Sequence, residues 1–152
     1  MSRDPDQFDF FAAPVFPVRI PVERLDVERY RSKIKRAMSK AIRESGLDRG
    51  SIAARMAQYL GLEAVSRASL DAYTSESKAT HDVSLLRFAA FVHATRALWL
   101  WDEVASVQGV TVLIGEEAKL AELARLQQER RSIEASIRAL RRYPVTLVRK
   151  ES

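Results

Sequence analysis

The chain has 152 residues, an apolar fraction of 47% and only five Gly and five Pro, so it has little material for a turn-rich β-fold and is expected to be all-α. The absence of Cys excludes a disulfide framework and thiolate metal sites, and two His alone cannot hold zinc. No stretch has the roughly 18–20 apolar residues of a membrane span, and the N-terminus lacks the basic start of a secretory signal, so we expect a cytoplasmic protein.

The net charge of +5 is unevenly distributed along the chain. Residues 30–49 carry seven Lys and Arg but only two acidic residues. Basic residues that are concentrated on one element favour a polyanionic partner, because they release counterions when they meet phosphates. The alternative is a solvated helix face with an ordinary charge imbalance.

Residues 1–25 predict an extended N-terminal arm. They contain four of the five prolines, and their apolar residues follow neither a helix nor a strand period. The arm is too hydrophobic for a plain linker, so we expect it to dock on the domain or on a second subunit. The expected docking residues are Phe10, Phe11, Val15, Phe16 and Ile20.

Two helices are predicted next. The first runs from Asp26 to Gly46, with apolar residues at spacings of three and four on one face and basic residues mostly on the opposite face. Asp26 suits its N-cap and Gly46 its C-terminal end. The second helix runs from Asp48, its N-cap, to Leu60, and Gly61 ends it.

A short helix from Arg67 to Thr74 follows, with Ser66 as its N-cap. Leu70 and Tyr73 share the inner side of this helix. The side chains expected to face outward are therefore Ser66, Arg67, Ser69, Asp71 and Thr74. A basic residue and small polar groups at the start of a short helix suit the reading of base edges in the DNA major groove.

One more helix is predicted before the final third of the chain. It begins near Asp82 and is expected to bury Val83, Leu86, Ala89, Ala90 and either Val92 or His93. It is expected to continue through residues 99–101, Trp-Leu-Trp, as far as Gly109. Because these three residues are apolar all round, we expect the helix to be covered on more than one side, by the core or by a second subunit.

Three segments carry a resemblance to a known family. They are Ile52-Ala53-Ala54-Arg55-Met56 with Gly61, then Val65 to Thr74, then a helix with Leu85, Leu86, Phe88 and Ala89. Together they resemble the lambda-repressor-like class of helix-turn-helix domain, and more narrowly the small DNA-binding proteins of Mu-like transposable phages and prophages. The resemblance covers about residues 30–115.

The resemblance implies a five-helix bundle, dimeric binding to DNA and a regulatory role on phage or prophage genes. It makes Asp48–Leu60 the second helix and Ser66–Thr74 the recognition helix. The usual domain has an Ala about four residues before the turn Gly, a place that either Ala53 or Ala57 could take. With Ala53 the second helix is one turn longer; with Ala57, Arg67 falls where an apolar residue is expected.

Residues 116–142 contain no Gly or Pro and are rich in strong helix formers. Six residues follow the alternating spacing of three and four that is typical of a coiled-coil seam. They are Leu123, Leu126, Arg130, Ile133, Ile137 and Leu140. The pattern predicts a coiled-coil-type dimerisation helix with a polar residue at one a position, and the alternative is an amphipathic helix packed on its own domain. Residues 143–152 would form a C-terminal tail.

The sequence contains no motif for a phosphate-binding loop, a dinucleotide fold, a zinc protease or a serine hydrolase. We therefore predict no enzymatic activity, no cofactor, no metal and no small-molecule substrate. The predicted domain order is the arm 1–25, the helix-turn-helix domain 26–115, the coiled-coil helix 116–142 and the tail 143–152. The predicted partners are double-stranded DNA and a second copy of the chain, without a membrane.

Together these patterns predict sequence-specific DNA binding by a phage- or prophage-type transcriptional regulator. The expected base contacts are Arg67, Ser69, Asp71 and Thr74. The expected phosphate contacts, which position the protein without specifying a sequence, are Ser66, Lys33, Lys40, Arg49 and Arg55. The strongest alternative is a DNA-packaging or scaffold protein resembling terminase small subunits, which combine a helix-turn-helix domain with an oligomerising helical segment in this order.

Overall fold

The computed structural model describes residues 16–78 and 80–144, and this part of the chain contains six helices and no strand. The helices are α1 (Val27–Ser45), α2 (Arg49–Leu60), α3 (Arg67–Thr74), α4 (Leu85–Thr95), α5 (Leu100–Ala105) and α6 (Glu116–Arg141). The predicted all-α fold, with five helices before one long helix, is confirmed. Within the described ranges, none of the helices combines the length and the apolar character needed to span a membrane.

The chain forms two compact units, Met1–Val112 and Leu113–Ser152. The second unit contains α6, which has 26 residues and is therefore roughly 39 Å long. The predicted helix over residues 116–142 is confirmed to within one residue at its end. Most of the predicted tail, residues 145–152, lies outside the described residues.

Side-chain caps fix where the first four helices begin. The residue before each helix has an extended backbone, and its side chain accepts a hydrogen bond from the backbone N–H three residues later. These caps are Asp26, Asp48, Ser66 and Ser84. Gly46 and Gly61 end α1 and α2 in the left-handed conformation, with φ of 67° and 64°. The end residues predicted for α1, α2 and α3 are thus confirmed.

The core of the first unit forms where α2 packs against α4, with α1 lying against α3, α4 and α5. Each of the five helices contributes at least one fully buried side chain. These include Met38, Ile52, Met56, Leu70, Phe91 and Leu100. Burial of each such side chain is worth about 1.5–3 kcal/mol relative to exposure. The short helix α3 is therefore held in the core through Leu70.

The prediction of one continuous helix from Asp82 to Gly109 is wrong. Helix α4 ends at Thr95, and Arg96 takes the left-handed conformation with φ 61°. The Thr95 hydroxyl donates to the Phe91 carbonyl at 2.9 Å and accepts from the Ala97 N–H at 3.4 Å. A left-handed residue other than Gly is uncommon, and no local pattern announces it in the sequence.

Leu86, predicted to be buried, is 72% exposed. Because α4 begins only at Leu85, behind its Ser84 cap, its buried face runs through Phe88, Phe91 and Val92. Leu86 lies two residues before Phe88 and so points to the other side of the helix.

Residues 17–22 of the arm run beside the segment that follows α5. The Arg19 guanidinium donates two hydrogen bonds to the Asp102 carboxylate, at 2.6 and 2.7 Å. The Val22 N–H donates to the Val107 carbonyl at 2.9 Å, and the Thr111 hydroxyl donates to the Pro17 carbonyl at 2.8 Å. The docking contacts in this part of the arm are therefore polar and backbone groups.

Ile20 does not dock on its own domain, because this side chain is 84% exposed; its docking on a second subunit stays a prediction. Phe16 is also exposed. An extended backbone turns alternate side chains to opposite sides, and here Arg19 is the one that reaches the domain. Phe10, Phe11 and Val15 lie outside the described residues.

Acidic pH should break the contact between Arg19 of the arm and Asp102. The hydrogen bonds from Arg19 hold the pKa of the Asp102 carboxyl below its usual range. The stabilisation is therefore complete above the unfolded pKa of about 3.9 and is lost as the pH falls through the lower folded pKa. The Val112 N–H donates to Asp102 Oδ1 at 2.8 Å, so its hydrogen-exchange protection should fall in that acid range.

In Asp102→Asn, protection of the Val22 amide, which donates to the Val107 carbonyl where the arm meets the domain, should already be low at pH 7, because the variant lacks the charge that holds Arg19. Glu103→Gln is the matched control, because the Glu103 carboxylate pairs with Lys33 at 2.9 Å. Equal protection of the Val22 amide in the two variants would show that the Asp102 charge does not hold the arm.

Candidate nucleic-acid interface

The start of α3 lies on the surface of the first unit. Val65, just before the N-cap, and Leu70 are both buried, so apolar contacts hold the helix on either side of its first turn. Ser66, Arg67 and Ala68 are exposed between them. The Ser66 hydroxyl accepts from the Ser69 N–H at 3.1 Å and lies 2.8 Å from the hydroxyl of half-buried Ser69.

The prediction that Thr74 faces outward is wrong, since this residue is only 6% exposed. Its hydroxyl donates to the Leu70 carbonyl at 3.0 Å and accepts from Arg49 at 2.9 Å. Thr74 follows Leu70 by four residues and therefore shares its inward face, where the backbone carbonyl and Arg49 satisfy the hydroxyl. Because the Thr74 hydroxyl is buried and already makes two hydrogen bonds within the chain, it is not available to a base edge.

Asp71 and Arg49 were expected to contact a base and a phosphate, but in the structure they contact each other. Arg49 Nη1 lies 3.0 Å from Asp71 Oδ1, and both side chains are partly exposed. This pair links the start of α2 to the middle of α3. The pair fixes the angle between the two helices. Because the two charges offset each other, it offers little charge to a ligand.

Most of the basic side chains of α1 are also engaged within the chain. Their ion pairs are Arg31–Asp82 (2.6 Å), Lys33–Glu103 (2.9 Å), Arg36–Glu76 (3.2 Å) and Lys40–Glu44 (3.6 Å). Exposed pairs of this kind are worth at most about 1 kcal/mol, but they offset the field that the cations would otherwise present. Lys33 and Lys40 would have to give up these partners to contact phosphates.

Lys35, which the sequence did not single out, holds the C-terminal end of α3. The residue is 3% exposed, and its ammonium donates to four backbone carbonyls. The acceptors are Ala72 (3.0 Å), Ser75 (3.1 Å), Lys78 (2.8 Å) and His81 (3.0 Å). An ammonium has three protons, so at least one of them is shared between two carbonyls.

The position of this ammonium has an electrostatic reason. The carbonyls of Ala72 and Ser75 lie at the negative end of the α3 dipole, which favours a cation. Burial lowers the pKa of Lys35, and the nearby Asp82 carboxylate acts in the opposite direction. The one signal in the sequence was the place of Lys35 next to Ile34 and three residues before Met38, at the edge of the apolar stripe of α1.

Two neighbouring depressions cross α2 on the outside of the domain. The first, about 530 Å³ in volume, is lined by Arg55, Gln58, Tyr59, His93 and Arg96. The second shares Gln58 and extends over the turn after α2 to Arg67. We refer to Arg55, Gln58, Arg67 and Arg96 as the arginine surface. It joins the start of α3, the middle of α2 and the end of α4.

The three cations of the arginine surface make no ion pair with any residue in the ranges 16–78 and 80–144. Glu63, in the second depression, is an acidic side chain beside them. A guanidinium binds phosphate oxygens through two parallel N–H donors. In contrast to the basic residues of α1 that are already paired, these arginines can take a phosphate without breaking an ion pair within this part of the chain.

An exposed aromatic pair lies within the first depression. The rings of Tyr59 and His93 stack with centroids 4.0 Å apart and an interplanar angle of 14°. Arg55 and Arg96 line the same depression. The ring pair offers an apolar surface on which a sugar of the DNA backbone can pack. The neighbouring guanidinium groups offer hydrogen-bond donors to the phosphate of the same nucleotide.

Both alanines that could match the family spacing, Ala53 and Ala57, are buried in α2. With Ala57 four residues before Gly61, Arg67 takes the place where an apolar residue is expected, yet Arg67 is exposed and Val65 is buried nearby. The chain matches no protein-family model, no curated protein and no solved structure.

Proposed function

We propose that this chain binds double-stranded DNA as a phage- or prophage-type transcriptional regulator, and that it acts as a dimer. The observation that carries the proposal is the arginine surface, which adjoins the exposed first turn of α3. Its three guanidinium groups have no carboxylate partner among the described residues. When unpaired arginines neutralise phosphates, counterions condensed on the DNA are released, and this release favours binding.

Within this proposal Arg67 reads base edges. It lies at the start of α3, and the first residues of a recognition helix are those that reach into the major groove. Arg55 and Arg96 contact phosphates on the same side of the domain, and Ser66 adds a neutral phosphate contact. Arg49 and Asp71 keep α2 and α3 at a fixed angle. Phosphate contacts then set the register in which Arg67 meets the bases.

Arg67→Ala should weaken binding to a specific duplex by about 1–3 kcal/mol and relax the preference at one base position. The fold should be unaffected, because Arg67 is exposed and makes no ion pair with the described residues. The duplex is obtained by selection from random sequences, and affinity is measured by fluorescence anisotropy.

Arg43→Ala is the matched control, because Arg43 is an exposed arginine of α1 outside the arginine surface. We expect it to keep the affinity and the sequence preference of the unaltered protein. If both variants bind the selected duplex equally well, Arg67 does not read DNA.

A second candidate is a DNA-packaging or scaffold protein that assembles through α6. The exposed seam of this helix favours it, because such a surface can join more than two copies. Light scattering on the purified protein separates the candidates. A dimer supports the regulator, whereas a ring of many subunits supports packaging.

A further inference from the structure

Helix α6 carries an apolar seam that no described residue of its own unit covers. The seam consists of Leu123, Leu126, Arg130, Ile133, Ile137 and Leu140. Its apolar side chains are between 42% and 73% exposed. Among the described residues, the second unit contains no other helix that could pack on them. Most of the stability of helices in proteins comes from packing of their apolar face, so we expect this face to have a partner.

We propose that the partner is a second copy of α6, paired in the antiparallel direction as a two-stranded coiled coil. The inference deepens the dimer of the proposed function and rests on it. The spacing of the seam places Leu123, Arg130 and Ile137 at a positions, and Leu126, Ile133 and Leu140 at d positions. The direction of pairing follows from which charges would then face each other.

A parallel pair would bring like charges together in the middle of the helix. Identical a residues face each other in that arrangement, so Arg130 would meet Arg130 of the second copy inside the seam. Each g residue would face the e residue five positions later on the other helix. Glu129 would therefore meet Glu134, and the seam would be flanked by two acidic pairs. Both contacts disfavour the parallel direction.

An antiparallel pair removes both conflicts, because a residues then face d residues. Leu123 meets Leu140 of the second copy, Leu126 meets Ile137, and Arg130 meets Ile133. Every layer contains at least one aliphatic residue, and the pattern reads the same from either end of the pair.

The flanking positions of the antiparallel pair are also compatible. Gln127 faces Glu134 of the second copy, and Glu129 faces Ser136. Arg130 keeps its Glu134 partner within its own helix, at 3.5 Å. Its long aliphatic stem can cover Ile133 of the second copy while the guanidinium stays in water.

Disulfide trapping tests the direction, because the chain has no Cys of its own. Leu123→Cys and Leu140→Cys are made in chains of different size, then oxidised mildly, mixed and alone, without DNA. In the antiparallel pair, the mixture should give mainly the mixed disulfide, and each variant alone should stay largely unlinked. Ala121→Cys, at an outward f position, is the matched control and should not link to Leu140→Cys.

Efficient disulfide formation by each variant alone would overturn the antiparallel pairing. The pairing is also overturned if no disulfide forms although the variants stay helical by circular dichroism and the protein is dimeric by light scattering. The outcome is separable from the proposed function. If the mixed disulfide forms but the protein does not bind DNA, only the proposed DNA binding is rejected. If each variant forms a disulfide with itself, only the antiparallel direction is rejected.

Discussion

Replacing Lys35 with Met should lower the free energy of unfolding by about 3 kcal/mol. A buried carbonyl that loses its donor costs about 1–3 kcal/mol. Of the four carbonyls that Lys35 serves, only the Ala72 contact is fully buried, whereas the other three are part-buried and can recover water in part. Met keeps the length and the apolar stem of the side chain, so the change removes mainly the ammonium. Urea unfolding followed by circular dichroism measures the loss.

Lys40→Met is the matched control on the same helix. Lys40 is exposed, lies 3.6 Å from Glu44 and sits 5.0 Å from the Trp99 ring centroid. Together these surface contacts should be worth no more than about 1 kcal/mol. Equal urea midpoints for the two variants would mean that water replaces the ammonium as the donor to the four carbonyls at no cost. Lys35 would then not hold α3.

The caps and the helix bounds near them could be predicted from the sequence, because they depend on local contacts. Asp26, Asp48 and Ser66 each bond to a backbone N–H three residues away, and Gly46 and Gly61 supply the left-handed ends. The same local reasoning failed at Arg96. A left-handed Arg is imposed by the packing around it rather than by its own preference.

The candidate site was only partly predictable, for the same reason. Arg55 and Arg67 were expected to contact DNA, and both belong to the arginine surface. Arg96 joins them only because α4 packs beside α2, which no spacing in the sequence reveals. Lys35 and Thr74 are residue types that usually lie on the surface, yet both are buried where α1 packs against α3. The carbonyls that satisfy Lys35 are distant in the sequence and leave no periodic signal, whereas Thr74 lies four residues after Leu70, a spacing that already indicates the inward face.

Replacing Arg55, Arg67 and Arg96 together with Ala should have the largest effect on DNA binding. Removing the base contact should cost about 1–3 kcal/mol. Removing two phosphate contacts should make the plot of log Kobs against log salt shallower by about 2, since each contact contributes about 0.9. All three side chains lie on the surface, so circular dichroism should show the same helix content.

A control with the same charge change separates position from net charge. Arg24, Arg29 and Arg43 are exposed and have no ion pair in the described part of the chain. Their replacement with Ala should reduce affinity only weakly and leave the sequence preference intact. If this control loses affinity as strongly as the arginine-surface variant, binding reports net charge alone.

Affinity of the unaltered protein for a selected duplex, titrated from low to physiological salt, tests the central claim most directly. DNA binding through the arginine surface predicts tight binding at low salt and a linear decrease of log Kobs with log salt, with a slope of about −2 or steeper. An affinity that does not change with salt, or no duplex binding at low salt, would contradict the account.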